Sequence, residues 1–139
     1  MAVLSFAAMF VLMYAMVDVF GNVVSNVNQA YMAALMTAPM VVIELLVMGV
    51  MYHNKTFNAV FMGASVVVGG LCFAAIRQQT LVGDKQFLRS MIPHHAGALL
   101  MCGEASLQDA EIKELCRNIN EGQKREIAQM KAILQRLDK

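Results

Sequence analysis

The sequence predicts an all-α protein in which three transmembrane helices precede a soluble antiparallel helical hairpin. The first 76 residues contain only three charged side chains: Asp18, Glu44 and Lys55. Nearly all the remaining charge follows Ile76, which separates a membrane region from a water-exposed region. We therefore divide the chain into a membrane region at 1–76, a linker at 77–83 and a soluble domain at 84–139.

Three apolar runs fill the first half, and each approaches the roughly 20 residues that a membrane-spanning helix needs. They extend from Ala2 to about Phe20, from about Ala30 to Tyr52, and from Phe57 to Ile76. The first run lacks the basic region of a cleaved signal peptide, so we interpret it as a retained helix. The third run contains small residues that let helices approach closely in lipid: Gly63, Gly69 and Gly70. Buried helices of a soluble protein would also be apolar, but three successive runs favour a membrane.

Two amphipathic helices are predicted after the linker. The first begins with Asp84 as its N-cap, contains Pro93, which should kink it, and ends near Ser106. The second begins around Asp109 and ends at about Leu137. Its apolar stripe consists of Ile112, Leu115, Cys116, Ile119, Ile127, Met130, Ile133, Leu134 and Leu137.

The first of these helices carries sulfur and imidazole side chains on neighbouring faces. At helical spacing one face contains Phe87, Met91, His94, Ala98, Met101 and Ala105, with His95 and Cys102 on its flank. This mixture of ligands is the one that Cu(I) prefers. Methionines at this spacing also commonly fill gaps in a core. Two adjacent histidines on an apolar face are harder to explain in that way, because each needs a polar partner when buried.

Two polar residues of the second helix are candidate partners of these histidines. Gln123 lies within the apolar stripe and Glu126 lies at its edge. In an antiparallel hairpin Gln123 would lie near the level of His94, where it could accept a hydrogen bond from a metal-bound imidazole. A partly exposed residue at the margin of the stripe is the alternative interpretation of Gln123.

These residues carry a resemblance to a known family. The pattern resembles the DUF305 family, which is placed in the ferritin-like superfamily and includes CopM-type periplasmic proteins that bind copper through methionine and histidine. The matching residues are Asp84-x-x-Phe87-x-x-x-Met91-Ile92-Pro93-His94-His95-x-Gly97-Ala98-x-x-Met101 and Gln123-x-x-Glu126-Ile127-x-x-Met130-Lys131. The layout of the apolar runs resembles a membrane-anchored branch of that family.

The resemblance implies metal ligands at Met91, His94, His95 and Met101, with Met130 of the second helix as a further candidate. Cys102 and Cys116 lie outside the matching pattern, so whether Cys102 binds metal, pairs or packs is left open. CopM-type proteins have two hairpins that form a four-helix bundle, whereas this chain has one, or half of such a bundle. A lone hairpin buries too little apolar surface. We therefore expect a homo-oligomer, most simply a dimer.

The expected function is a membrane-anchored copper-binding protein for metal sequestration or resistance. Copper as Cu(I) is the only cofactor expected. The chain is not expected to be an enzyme, because ferritin-like di-iron centres use Glu-x-x-His pairs and no Glu lies three residues before either His94 or His95. A net charge of +1 offers no basic surface for nucleic acid.

The expected location is a bacterial inner membrane, with the N-terminus inside and the hairpin in the periplasm. Counting basic residues gives the opposite orientation, because Lys55 lies on one side and three cations follow the third run on the other: Arg77, Lys85 and Arg89. We give more weight to the copper chemistry and to the family resemblance.

Glu44 suggests a different function, because a carboxyl group within a membrane span is costly and is commonly functional. It continues an i, i+4 series of methionines: Met32, Met36, Met40 and Met48. One interpretation is a protonated Glu44 bonded to Thr37, Ser65 or a neighbouring subunit. The other is a channel or transport component for metal ions. A scaffold whose hairpin binds a partner protein is a third alternative.

The three cysteines are assigned different environments. Cys72 lies in the third run and is expected to pack there. Cys102 and Cys116 lie on the inner faces of the hairpin. We consider a disulfide between them feasible but not favoured, because helix axes stand about 8–10 Å apart and a disulfide requires Cα atoms within about 7 Å.

Overall fold

The computed structural model describes residues 1–49, 51 and 54–138, and within them it contains helices and no strand. The prediction of an all-α protein is confirmed. The five α-helices are α1 (Ala2–Leu12), α2 (Val27–Val47), α3 (Lys55–Gln78), α4 (Asp84–Glu104) and α5 (Ala110–Leu137). Short 3-10 turns lie at Met13–Met16 and Phe20–Asn22. The chain forms two compact units, Met1–Met13 with Val27–Leu81 and Tyr14–Asn26 with Val82–Lys139.

In the first unit α2 packs against both α1 and α3. Gly69 is buried at the α2–α3 contact, where a Cβ atom at this position would lie 3.1 Å from the Ala38 side chain. Asn54 caps α3 by accepting a hydrogen bond from the Phe57 amide at 3.0 Å. Most apolar side chains of α2 and α3 remain exposed. Both helices are long and apolar enough to cross a membrane.

The predicted first span, from Ala2 to Phe20, is not one continuous helix. Helix α1 ends at Leu12, and its 11 residues extend only about 17 Å, whereas the hydrocarbon core is about 30 Å thick. The following residues turn, with the Tyr14 hydroxyl donating to the Val24 carbonyl at 3.0 Å and the Asn22 amide donating to Asp18 at 2.7 Å. Two helices of the described part, rather than three, have the length and composition of a span.

The other two spans lie close to their predicted positions. Helix α2 begins at Val27, three residues before the predicted start, and the predicted end at Tyr52 lies outside the described residues. Helix α3 encloses the predicted third span and continues through Gln78 into the predicted linker.

In the second unit α4 and α5 pack against each other along an apolar seam. The α4 side consists of Leu88, Ile92, Ala96 and Leu99, and the α5 side consists of Ile127 and Met130. These positions repeat every three or four residues, so they lie on one face of each helix. Gly83 rather than Asp84 is the N-cap of α4, and the helix continues through Pro93.

Polar and covalent contacts close both ends of the pair. Lys85 Nζ lies 3.0 Å from Asp138 Oδ1 at one end, and Cys102 is joined to Cys116 at the other. The two helices are therefore antiparallel. Asp109 begins α5 by accepting hydrogen bonds from the Glu111 and Ile112 amides.

Residues 14–26 form a third layer of the second unit. Val17 and Val24 pack against the α4–α5 core. Lys131 of α5 donates to the Gly21 carbonyl at 3.0 Å and to Asn22 Oδ1 at 2.5 Å. Gly97 permits the close approach of this layer, because a Cβ atom there would lie 3.4 Å from the Met16 carbonyl oxygen. The segment after α1 thus belongs to the same unit as the hairpin.

Ile92 is fully buried, so its replacement by alanine tests the importance of the seam. We expect Ile92→Ala to lower the free energy of unfolding of this unit by about 2–5 kcal/mol, because the lost contacts leave a cavity. Hydrogen exchange of the α4 and α5 amides measures the change. Val19→Ala in the same unit is the control, since Val19 is 55% exposed and its loss should cost less than about 0.5 kcal/mol. Equal protection in the two variants would contradict the assignment of the core.

Candidate metal centre

His95 is held between the two helices by both of its ring nitrogens. Nδ1 lies 3.0 Å from the carbonyl oxygen of Met91, one turn earlier on α4. Nε2 lies 2.7 Å from Oε2 of Glu126 on α5. The His95 side chain is only 11% exposed, whereas Glu126 is 57% exposed. The buried imidazole is therefore fixed, and the carboxylate is the partner that is free to move toward solvent.

The hydrogen bond from Nδ1 to the Met91 carbonyl orients the imidazole and determines which ring nitrogen could bind a metal. When the Nδ1–H group donates to the Met91 carbonyl, Nε2 is the nitrogen that remains for another partner. The Glu126 carboxylate only accepts, so Nε2–H donates to it in this conformation, and the Nε2 lone pair becomes available to a metal only when that proton is released. A hydrogen bond from one ring nitrogen to a backbone carbonyl is a common way to orient a metal-binding histidine. Nε2 is thus the donor atom that His95 can offer if Glu126 turns away or binds the same ion.

Two methionines lie one turn from the His95–Glu126 contact. Met91 precedes His95 by four residues and Met130 follows Glu126 by four, so the antiparallel register brings both to one level of the hairpin. Met130 belongs to the buried core, and Met91 is half-buried against it. The alternative interpretation given above, that methionines at this spacing fill gaps in the core, is sufficient to explain the packing of both residues. Both methionines lie one helical turn from His95 and Glu126 along their helices.

The other two predicted ligands lie farther out. His94 is exposed, and its ring centroid lies 6.2 Å from that of His95. Met101 is 55% exposed and lies six residues beyond His95, about 9 Å along the helix axis. The structure thus groups Met91, His95 and Met130 on the inside of the hairpin and leaves His94 and Met101 at its surface.

Gln123 and Glu126 have different environments. Glu126 bonds to His95, whereas Gln123 does not bond to a histidine. The Oε1 atom of Gln123 is buried and has no hydrogen-bond partner in the structure that is described. The hydrogen bond expected between an imidazole and Gln123, which lay at the predicted level of His94, is therefore absent from this conformation: His94 is exposed, and Glu126 is the residue that contacts His95.

Cys102 and Cys116 form a disulfide with a Cα–Cα distance of 5.4 Å. The sequence-based preference against this bond was wrong, because it compared the axis spacing with a limit that applies to Cα atoms. Cα atoms on facing sides lie closer than the axes by up to two helix radii, or about 4.6 Å. In this form Cys102 has no thiolate to offer a metal. Cys72 of α3 is a free, half-buried thiol.

Within the described residues, no cluster of three or more His, Cys, Asp and Glu side chains is suited to a metal ion.

Glu44 lies half-buried on α2, and the neighbouring Met32, Met36 and Met40 are exposed. The two hydroxyl groups that were considered as its partners donate their protons to backbone carbonyls of their own helices instead. Thr37 donates to the Ala33 carbonyl and Ser65 donates to the Phe61 carbonyl, both at 2.8 Å. No hydrogen bond or ion pair of the Glu44 side chain occurs in the described part of the chain.

Two contacts of the second unit, which contains α4 and α5, were missed by the sequence analysis. The Met91 carbonyl orients His95, and Lys131 joins α5 to the segment at residues 21 and 22. The i, i+4 spacing of Met91 and His95 is compatible with a ring-to-backbone bond. No pattern in the sequence links Lys131 to a residue more than 100 positions earlier.

Comparison with known proteins places this hairpin in a family. Residues 75–139 match the family described as "Domain of unknown function (DUF305)". The chain belongs to the DUF305 family.

The chain is also similar to "Uncharacterized protein L153" of Acanthamoeba polyphaga mimivirus. The two are 31% identical over 116 residues, which cover 82% of this chain and 74% of that protein. Because residues 75–139 are less than half of the chain, the similarity extends into the apolar half as well. No solved structure matches the chain.

Proposed function

We propose that this protein binds Cu(I), or a similarly soft ion, in its helical hairpin and serves in metal sequestration or resistance. The observation that supports this most directly is the orientation of His95. Its Nδ1–H group donates to the Met91 carbonyl, so Nε2 would be the nitrogen that binds a metal once its proton and the Glu126 contact are displaced. A binding role without catalysis is the simplest function for such a centre.

The surrounding donor atoms favour a soft ion. Met91 and Met130 supply thioethers from opposite helices, and thioethers bind Cu(I) in preference to oxygen-seeking cations. His94 and Met101 are exposed near the same helix face, where they would meet an incoming ion first. Glu126 would release Nε2 or remain nearby as an orienting partner.

The apolar helices support membrane anchoring. Side chains of α2 and α3 that remain exposed include Ile43, Leu46, Val66, Val67 and Leu71, and lipid would cover them. Helix α1 packs on α2 and would form the third membrane element, although it is short.

The disulfide supports an oxidising compartment for the hairpin, because disulfides persist mainly outside the cytosol. In a bacterial host this is the periplasmic side of the inner membrane. The proposed orientation agrees with the one expected from the copper chemistry and places Lys55, the first residue of α3, on the inner side.

Titration with Cu(I) or Ag(I) tests the metal centre. The protein should be used with Cys102–Cys116 oxidised and Cys72→Ala in place, so that no thiol contributes. We expect His95→Ala and Met91→Leu each to weaken binding by at least about tenfold, the lower bound for loss of an orienting partner. Competition with a chromophoric chelator measures the affinity.

Met9→Leu is the matched control for Met91→Leu, because it makes the same chemical change on α1 of the other unit. It should leave the affinity unchanged. A wild-type titration identical to that of a His94→Ala, His95→Ala double variant would refute the proposal. It would instead favour a scaffold function for the hairpin.

A second candidate function is metal transport through the membrane region. The observation that favours it is that the described structure gives the Glu44 side chain no partner, although Thr37 and Ser65 lie in the same unit. A carboxylate left without a protein partner in an apolar helix is suited to an ion pathway. The exposed methionines of α2 would supply soft ligands along it.

Flux of Ag(I) into liposomes distinguishes transport from binding. If Glu44 contributes to a pathway, wild-type protein should carry ions, Glu44→Gln should abolish the flux, and Glu44→Asp should retain part of it. Liposomes without protein provide the baseline. Equal flux in wild-type and Glu44→Gln protein, or none in either, would contradict a role of Glu44 in transport.

We also propose that two hairpins associate to complete a ferritin-like four-helix bundle. The apolar stripe of α5 is only partly covered by α4, with Ile112 and Leu115 48% and 57% exposed. A second hairpin would bury this part of the stripe. A two-fold dimer is the simplest arrangement that achieves this.

Mass measurement in mild detergent tests the dimer. We expect wild-type protein to be dimeric and Ile112→Glu with Leu115→Glu to shift it to a monomer, because two carboxylates would have to be buried. Val19→Glu, at another exposed apolar position of the same unit, should remain dimeric. A strictly monomeric wild-type protein with a folded hairpin would contradict the proposal.

A further inference from the structure

The disulfide at the end of the hairpin lines a polar pocket. This pocket has a volume of about 470 Å³, and both Cys102 and Cys116 contribute to its wall. Each cysteine is half-buried rather than enclosed in the core, and both face the pocket as lining residues.

The charges around the pocket are predominantly positive. Lys113, Arg117 and Lys124 line it together with a single acid, Glu121. Arg117 is paired with Glu114 at 2.6 Å. Neither lysine forms an ion pair within the described residues. With Arg117 paired, two lysines and one glutamate leave a net positive charge of one on the pocket wall beside the disulfide.

We propose that Cys102–Cys116 is a thiol-exchange site whose substrate is a small thiol carrying an additional negative charge, such as a carboxylate or sulfonate. Reactive cysteine sites are characteristically electropositive and partly exposed. The lysines would attract the anionic thiol and stabilise the negative charge that spreads over the three sulfurs during exchange. This activity is independent of the proposed copper centre, which uses the imidazole and thioethers.

The exchange balances in two steps. The thiolate of the small molecule attacks one cysteine sulfur, the Cys102–Cys116 bond breaks, and its electron pair leaves on the other cysteine, which takes up a proton from water. A mixed disulfide remains. A second thiolate attacks the small-molecule sulfur of that mixed disulfide, the bond to the attacked cysteine breaks, and that cysteine leaves as a thiolate and takes up a proton from water. Two thiols are oxidised to one small disulfide while the protein disulfide is reduced to two thiols.

Reduction rates with two thiols of opposite charge test the proposal. The full-length protein in a nonionic detergent, with Cys72→Ala, is reduced by mercaptoethanesulfonate or by cysteamine. Alkylation and mass spectrometry then quantify the free Cys102 and Cys116. For each variant we take the ratio of the rate with mercaptoethanesulfonate to the rate with cysteamine. Because the intrinsic reactivities of the two thiols are the same for every variant, a change in this ratio reports only the effect of the substitution.

We expect Lys113→Glu with Lys124→Glu to lower the anionic-to-cationic rate ratio by about tenfold, at the lower end of electrostatic steering effects. High salt should lower the wild-type ratio as well. Arg125→Glu with Arg136→Glu is the matched control, because it changes the net charge equally on the same helix but outside the pocket. Its ratio should stay near that of the wild type.

Two outcomes would overturn the proposal: an unchanged ratio in the lysine variant, or an equal fall in the arginine control. Circular dichroism verifies that the variants remain helical. If charge reversal unfolds the hairpin, Lys113→Gln with Lys124→Gln replaces it and should lower the ratio about threefold, half the effect in free energy. A ratio unchanged in this milder variant would overturn the proposal equally.

Discussion

The apolar seam between α4 and α5 is the constraint on which the functional half of the molecule depends. Ile92 is fully enclosed by that seam, and the seam sets which residue of one helix faces which residue of the other. A slip of one residue would turn the paired faces by about 100°, which would remove the facing side chains from contact. The Lys85–Asp138 contact and the disulfide then hold this register at the two ends. Of these, the exposed ion pair contributes little stability by itself.

The position of His95 follows from this register. Its ring reaches Glu126 because the seam brings these residues to one level, and it is oriented by the Met91 carbonyl because both lie on one helix face. These contacts contribute to stability, because burying an imidazole without polar partners would raise the free energy of the folded state. The same register brings Met91 and Met130 together one turn away. A packing requirement that is not specific for metal thus assembles the donors of the proposed centre.

The sequence was sufficient for properties that depend on local pattern. Both hairpin helices and their approximate ends were predictable from helical spacing. The break after Leu12 was not, because residues 2–17 carry no charged side chain and the turn depends on contacts with the hairpin through Val17 and Val24. The Glu126–His95 contact and the disulfide also required the register between two helices. Spacing within one helix does not contain that information.

The arrangement of donors bears on which ions the proposed centre would accept. Imidazole and two thioethers lie on the inside of the hairpin, so an ion that reaches them must lose most of its water. A strongly hydrated cation such as Mg²⁺ dehydrates reluctantly and gains little from sulfur. For a soft ion such as Cu(I), the free energy of binding to the sulfur donors offsets the free energy of hydration that is lost. The exposed Glu126 and His94 would then govern entry, while the buried side chains would govern selectivity.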